Sequence, residues 1–448
     1  MHVESDNKQK QLDQATHLVE AAMRAGASSA EAVSVRDHSS SVTVRLGKVE
    51  ETKSSEGDHF SLRVFVGQRV ATVSANAGED LSSLATRAVA MAKVSPEDPY
   101  AGLAGSDLLV KDPEDLDLLD SFIPSMDKLR EDALVMEAAA LEVEGVTNAQ
   151  GATASYGTQG LILANSAGFC GHYDTSYFLR HCGVVAGEGA EMERDYEYEA
   201  ALHYDELERP PVVGRRAGER TVRRLGGRQA RTGVVDAVFD PRVARSIAGH
   251  IASLLNGASV ARGTSLLRTH MGKRIMRPEV RVSDNPLRRR GIGSRPFDGE
   301  GLAAALLYPI EDGVLSYWLL SLATARELGL KPNGRGIRSR AGIEPGSSNF
   351  AIEPGAISRD SLLQGVKNGF YVTEVFGQGV DFITGQYSRG ASGFWIENGE
   401  ITYPVSGVTL ASDLLSMLAR LIPANDLDRR YATAAPTLMI EGMTLAGE

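Results

Sequence analysis

The sequence predicts an α+β fold, with N-terminal antiparallel sheet units and helices followed by a larger strand-rich C-terminal domain. Three observations carry that expectation. Short β-rich runs joined by tight links follow the first helix. Amphipathic stripes at three- and four-residue spacing bracket those runs. From Gly233 onward the chain is rich in strand formers and glycine. At 448 residues the chain exceeds what one hydrophobic core usually organises, so two or three units of roughly 100 to 200 residues are expected.

Leu12, Ala15, Val19, Ala22 and Met23 make the stripe of an opening helix. After it come β-rich runs at Ala32–Arg36, Ser41–Leu46, Ser61–Val66 and Arg69–Ser74, with Gly67-Gln68 as a tight link between the last two. A helix over Asp80–Lys93 closes the first unit, residues 1–110, and the Pro- and Asp-rich stretch Ser95–Asp117 reads as a linker. The middle unit, residues 120–230, opens with a helix over Ser125–Glu142 striped by Leu129, Ala133, Met136 and Ala140. Alternating segments from Ala152 to Leu202, with a turn at Asn165–Gly168, predict another sheet, and an Arg-rich helix then ends at Gly226-Gly227. The third unit, residues 233–448, is assigned helices near Val243–Leu255, Leu319–Leu328, Ser358–Gly369 and Leu410–Leu421.

Apolar residues make up 42% and charged residues 23% of the chain, an ordinary globular balance that leaves no long tract unable to pack. No run of roughly 18 consecutive apolar residues occurs and the first ten residues are polar, so a cytoplasmic location without a membrane span is expected. A formal charge of −11 argues against nucleic acid as the main ligand, because phosphate neutralisation needs concentrated positive charge. Arg215, Arg216, Arg220, Arg223, Arg224, Arg228 and Arg231 crowd one near-helical segment and are read as a solvated or partner-facing surface, since stacking aromatics are missing around them. Cys170 and Cys182 fit neither a CxxC metal pair nor a disulfide framework and are expected as reduced core thiols.

Enzymatic signatures readable from spacing are largely missing. There is no GxSxG elbow, and Gly257–Ser265 lacks the Lys of a phosphate loop. Gly334-Arg335-Gly336 and Gly377-Gln378-Gly379 lack the third spaced glycine of a dinucleotide fingerprint. HExxH does not occur, and the third unit holds only His250 and His270, twenty residues apart. Residues alone therefore define a multi-unit α+β protein without a named chemistry.

Runs in the third unit carry more. Asn349–Gly355, Gly369–Glu374, Gly377–Asp381, Thr384-Gly385, Ser388–Gly390 and Glu397–Val405 stand in an order and spacing that resembles the TldD/PmbA family. Gly160–Gly168, Phe297–Gly301, Ile310–Leu315 and the closing Pro436–Gly447 extend the resemblance to nearly the whole chain from about Ala30. In that family a TldD-type subunit carries a zinc-binding HExxxH helix, a PmbA (TldE) type lacks it, and the pair trims or degrades unfolded peptides. Some members bear an older label as modulators of DNA gyrase, but direct DNA contact is not expected here.

The resemblance implies that the family's metal helix corresponds to the segment opened by Asp240-Pro241, a good cap with proline in the first turn. Aligned on Gly249-His250, it sets Arg245 where the first zinc-binding His would stand and Ser246 where the general-base Glu would stand, so that only His250 is kept. A guanidinium has no lone pair for zinc, and a serine hydroxyl cannot replace the carboxylate base. The TldD type also has a Gly-rich, Cys-containing segment before its last strand, whereas this chain reads Ala424–Arg430 there without cysteine. At roughly 100° per residue, His250 lies at the edge of the Ile247, Ile251 and Leu254 stripe, where a structural hydrogen bond is expected. The resemblance thus implies a PmbA/TldE-type subunit with no catalytic residue and no metal of its own, zinc being held by a TldD-type catalytic partner and unfolded peptides being the substrates. A homodimeric peptide-binding or chaperone-like protein, or an independent hydrolase, stand as alternatives.

Overall fold

The computed structural model describes residues 2–76, 80–339 and 342–447. Helix α1, His2–Arg24, leads into a meander of β1, Ser29–Arg45, β2, Lys48–Val66, and β3, Arg69–Asn76. Gly67, at φ +62°, makes the two-residue turn between β2 and β3. The two expected runs Ala32–Arg36 and Ser41–Leu46 are one strand. The polar residues between them, which suggest a break, keep pairing with β2 from Asp37↔Gly57 to Ser40↔Ser54.

The middle unit does not form another sheet. Its strands β4, Val146–Asn165, β5, Cys170–Ala186, and β6, Glu193–Ala201, continue the first one, giving the order β3-β2-β1-β4-β5-β6. β1 pairs with β4 without interruption from Glu31↔Asn165 to Val44↔Ala152. That pairing satisfies the row of backbone N–H and C=O groups that β2 leaves open on the other edge of β1. Two hydrophobic layers cover the same face of the sheet. Helices α1 and α2, Leu81–Val94, bury Ala32, Leu62, Val64 and Ile162. Helices α3, Met126–Leu141, and α4, Pro210–Val222, bury Val42, Ala154, Phe178 and Val184. Asp80 and Ser125 cap α2 and α3 as their sequence positions suggest. Gly214 lets α4 lie directly on the backbone of α3, since a Cβ there would sit 1.9 Å from the Met136 carbonyl oxygen.

The Arg-rich helix is not simply a solvated face. Arg216, Arg220 and Arg224 turn inward onto carboxylates of β6, with Arg216–Glu199 at 3.4 Å, Arg220–Glu197 at 2.8 Å and Arg224–Asp195 at 3.5 Å, Arg224 also reaching Glu193 at 3.3 Å. Four residues of helix rise about 6 Å and two residues of strand about 6.6 Å, so arginines at every fourth position meet acids at every second one. Reading one segment at a time shows the arginines but not the strand that answers them.

In the third unit, β7, Gly233–Phe239, runs parallel to Asn368–Phe376 and antiparallel to Leu438–Ala446. Strands Gln386–Glu397 and Glu400–Asp413 extend this sheet, and pairing of Thr409–Ala411 with Thr444–Ala446 closes it into a barrel. A smaller five-stranded sheet packs beside it around Val282, Ile310 and Phe350. Three helices are shorter than expected. Leu322–Glu327 begins only at the Ser321–Thr324 capping box, and Arg359–Gln364 ends before Gly369, which joins a strand. Leu410 to Asp413 remain strand until the Asp413 cap starts Leu414–Arg420. Both cysteines are free, but only Cys182 is a core thiol, because Cys170 is exposed. No helix among the described residues is long and apolar enough to cross a membrane.

The Phe297–Gly301 run fastens the third unit to the large sheet. Phe297 packs on Phe169 and Tyr173 of the sheet's uncovered face. The buried Asp298 carboxylate accepts N–H groups of Glu300, Leu302 and Gly336, each at 2.9 Å. Glu300, also buried, accepts the Leu322 N–H at 2.7 Å. Burial raises both carboxyls above their ordinary range, Glu300 to about 7 with further help from Asp298. Glu31 of β1 spans the same junction, pairing with Arg63 and Arg338 at 3.0 Å each.

Candidate functional site

Helix α5, Pro241–Leu254, forms where the sequence resemblance sets the counterpart of the family's metal helix. Asp240 caps it by accepting the Arg242 N–H at 3.0 Å, Pro241 opens its first turn, and Val243, Ala244, Ile247, Ala248, Ile251 and Leu254 bury one face in the third unit's core. Its opening turn is tied to the large sheet. Arg242 donates both terminal nitrogens to Asp195 of β6, at 2.8 and 3.0 Å, and also to the carbonyls of Tyr196 and Thr373.

Arg245 and Ser246 line a cleft of about 410 Å³ between α5 and β6, together with Tyr177, Tyr198, Ile292 and Tyr431. The Arg245 guanidinium sits over Tyr431, 3.9 Å from the ring centroid, and donates to the Tyr198 hydroxyl at 2.6 Å. Ser246 Oγ is buried without a partner. His250 is not brought to this cleft. Along α5, which is α-helical throughout, five residues turn it by roughly 140° from Arg245. Its ring packs against Phe382 and Tyr387 at centroid distances of 5.7 and 6.1 Å. The structural hydrogen bond expected of it is not made at Nδ1, which is buried and unpartnered. Burial, with the nearby Arg389 charge, lowers its pKa to about 4, so the imidazole is neutral at physiological pH.

The arrangement settles what these side chains can do. Zinc needs three or four lone-pair donors converging on one point. Arg245 offers none, Ser246 a weak hydroxyl and His250 a ring turned elsewhere, so this set does not fit the ion. Among the described residues no three His, Cys, Asp or Glu side chains group in a way that could hold a metal. A serine nucleophile is not prepared either, since neither Ser246 Oγ nor His250 Nδ1 has a hydrogen-bond partner and so no Ser–His dyad joins them. What the cleft does present is tyrosine side chains and the guanidinium groups of Arg242 and Arg245. The tyrosines that make it are not legible in the sequence as a group. Tyr177 lies on β5 and Tyr198 on β6, and Tyr431 reaches Tyr198 only through the fold.

The three units match, in order, the PmbA/TldA metallopeptidase domain 1 over residues 30–92, the central domain over 120–225 and the C-terminal domain over 232–447. Fold and domain order thus define an α+β protein of the PmbA/TldA metallopeptidase architecture. The chain belongs to the PmbA/TldD family, being 33% identical over 449 residues to the metalloprotease PmbA homologue of Haemophilus influenzae, with 98% of this chain and 97% of that protein covered. The TldD homologue of the same organism aligns over a much shorter stretch, 170 residues at 28% identity, covering 37% of this chain and 35% of that protein. Among solved structures, a Bacteroides thetaiotaomicron protein described as a putative modulator of DNA gyrase superposes with a TM-score of 0.90 at 25% identity, covering 98% of this chain and 99% of its own. TldE from Thermococcus kodakarensis shares the fold, with a TM-score of 0.86 at 18% identity and coverage of 96% and 99%.

Proposed function

We propose that this chain is the non-catalytic, zinc-less PmbA/TldE-type subunit of a cytoplasmic peptidase, completing the peptide-binding chamber of a TldD-type zinc subunit that degrades or processes unfolded peptides. One observation carries the reading. In a family whose relatives are named metalloproteases, the cleft beside the helix that corresponds to the metal site is occupied by the Arg245–Tyr198–Tyr431 stack, and His250 is turned into the core. Haemophilus influenzae has both a PmbA and a TldD homologue, which supports a pairing of two subunit types. The cleft keeps the means to grip an extended peptide without the means to cut it.

The test is co-expression with a TldD-type subunit, followed by co-purification and a peptide-cleavage assay with and without chelator. Co-elution with chelator-sensitive cleavage, absent from this chain alone, is the expected result. Cleavage by the pure chain that survives chelator would replace the reading with an independent hydrolase, and a stable homodimer that ignores the TldD-type subunit would replace it with a peptide-binding protein.

A further inference from the structure

Beside the α5 cleft runs a second one, of about 310 Å³, lined by Arg288, Arg290, Arg429 and Arg430. Ala200 and Ile292 line both, so the two adjoin along one stretch of grooved surface. The carboxylates along it are already engaged. Asp195 holds Arg242, Glu206 holds Arg290 at 3.1 Å, and Asp428 and Glu199 hold Arg430. Two guanidiniums are left over. Among the described residues neither Arg245 nor Arg288 has a carboxylate within ion-pair distance, and the hydrogen bonds of Arg245 go only to a phenol and a carbonyl. Both are partly sheltered from solvent, and burial together with the Arg429 charge disfavours the cationic form of Arg288 more than Asp428 and Glu206 favour it. Asp428 and Glu206 act on these cations only from beyond ion-pair distance; a sheltered cation without a direct ion pair is costly, and surplus positive charge in a concave site on a chain of net charge −11 attracts anions. The tyrosine rings and Ile292 supply apolar walls against which a main chain can lie.

We propose that this groove binds the carboxylates of an extended acidic peptide, with Arg245 and Arg288 as the two recognising cations and Tyr198 and Tyr431 holding the Arg245 plane in place. The inference rests on the reading of this chain as a peptide-binding subunit and adds the chemical class it selects. Guanidinium recognises carboxylate through paired N–H donors, a geometry that a backbone-only grip does not discriminate.

The experiment measures binding of the full chain to a labelled unstructured Gly/Ser peptide carrying several Glu residues and to the same peptide with Gln, by fluorescence anisotropy. The Glu peptide should bind roughly tenfold tighter at low ionic strength, an advantage that shrinks with salt. Arg245→Gln and Arg288→Gln should each remove most of that advantage and leave the Gln peptide unchanged, whereas Arg268→Gln, outside the groove, should change neither. Arg245→Lys, which keeps the charge, should retain part of it and so exclude simple misfolding. Equal binding of the two peptides, or variants that bind the Glu peptide normally, overturn the carboxylate inference while the peptide-binding reading stands. Failure of both peptides to bind overturns both. Displacement of the Glu peptide by succinate at equal concentration makes this a small-anion site. Loss of TldD-type co-elution in the arginine variants with peptide binding intact makes it a docking face. Either result refutes the proposal.

Discussion

Replacing Glu300 by glutamine should flatten part of the protein's stability profile against pH. The buried Glu300 carboxyl is carried from its ordinary 4.5 to about 7, which corresponds to roughly 3 kcal/mol at ~1.36 kcal/mol per pH unit. Because the fold favours the protonated acid, the native state holds more protons than the unfolded chain between those values. No penalty exists below pH 4.5. It accumulates as pH rises through about 7, and above that it is constant. The substituted amide keeps an oxygen to accept the Leu322 N–H but cannot ionise. Urea denaturation of both proteins from pH 5 to pH 8 measures the difference, in which titrating groups that do not interact with Glu300 cancel and the release of Asp298 from its neighbour's charge adds to the variant's gain. The variant should gain on the wild type by up to about 3 kcal/mol across this range. Parallel curves would show that Glu300 ionises normally in the fold and that burial beside Asp298 does not govern it.

Three further outcomes follow from the geometry. Arg245→His with Ser246→Glu recreates His-Glu-x-x-x-His on paper, but with the first imidazole at the cleft and His250 in the core it should bind zinc weakly and cut nothing; tight metal by elemental analysis with chelator-sensitive cleavage would refute this. In the native protein Cys170 should react readily with a thiol reagent, whereas Cys182, fully buried with its pKa pushed up to about 12, should react only after unfolding. Gly214→Ala should destabilise by about 1–3 kcal/mol, because its methyl would force α4 off the Met136 carbonyl; an unchanged melting temperature would count against that close crossing.

Local chemistry is legible in the sequence and partnership is not. The Asp240-Pro241 start of α5, its apolar stripe and the Asp80 and Ser125 caps can be read because each depends on neighbours a few residues away. The single sheet is hidden because β1 meets β4 across more than a hundred residues, and nothing in either strand names the other. The same holds for Arg216, Arg220 and Arg224, which read as a surface until β6 lies beneath them. Tyr431 joins Tyr198 only because a loop of the barrel domain returns to the large sheet. Even the direction of His250 needs the structure, for helical spacing gives the angle but not the Phe382 and Tyr387 rings that receive it.

The shared edge between β1 and β4 has a consequence for anyone dividing this chain. A fragment ending near residue 110 would retain β1 with its whole β4-facing edge, from Glu31 to Val44, bare to other chains. Such an edge is a template for adventitious pairing. The complementary fragment would keep β4 paired with β5 but carry an equally bare β1-facing edge. Expressed apart, the two should precipitate or swap strands with their own kind. Expressed together, they should reassemble through that seam, so the linker in the sequence marks a place where the backbone can be opened but not where the protein can be separated.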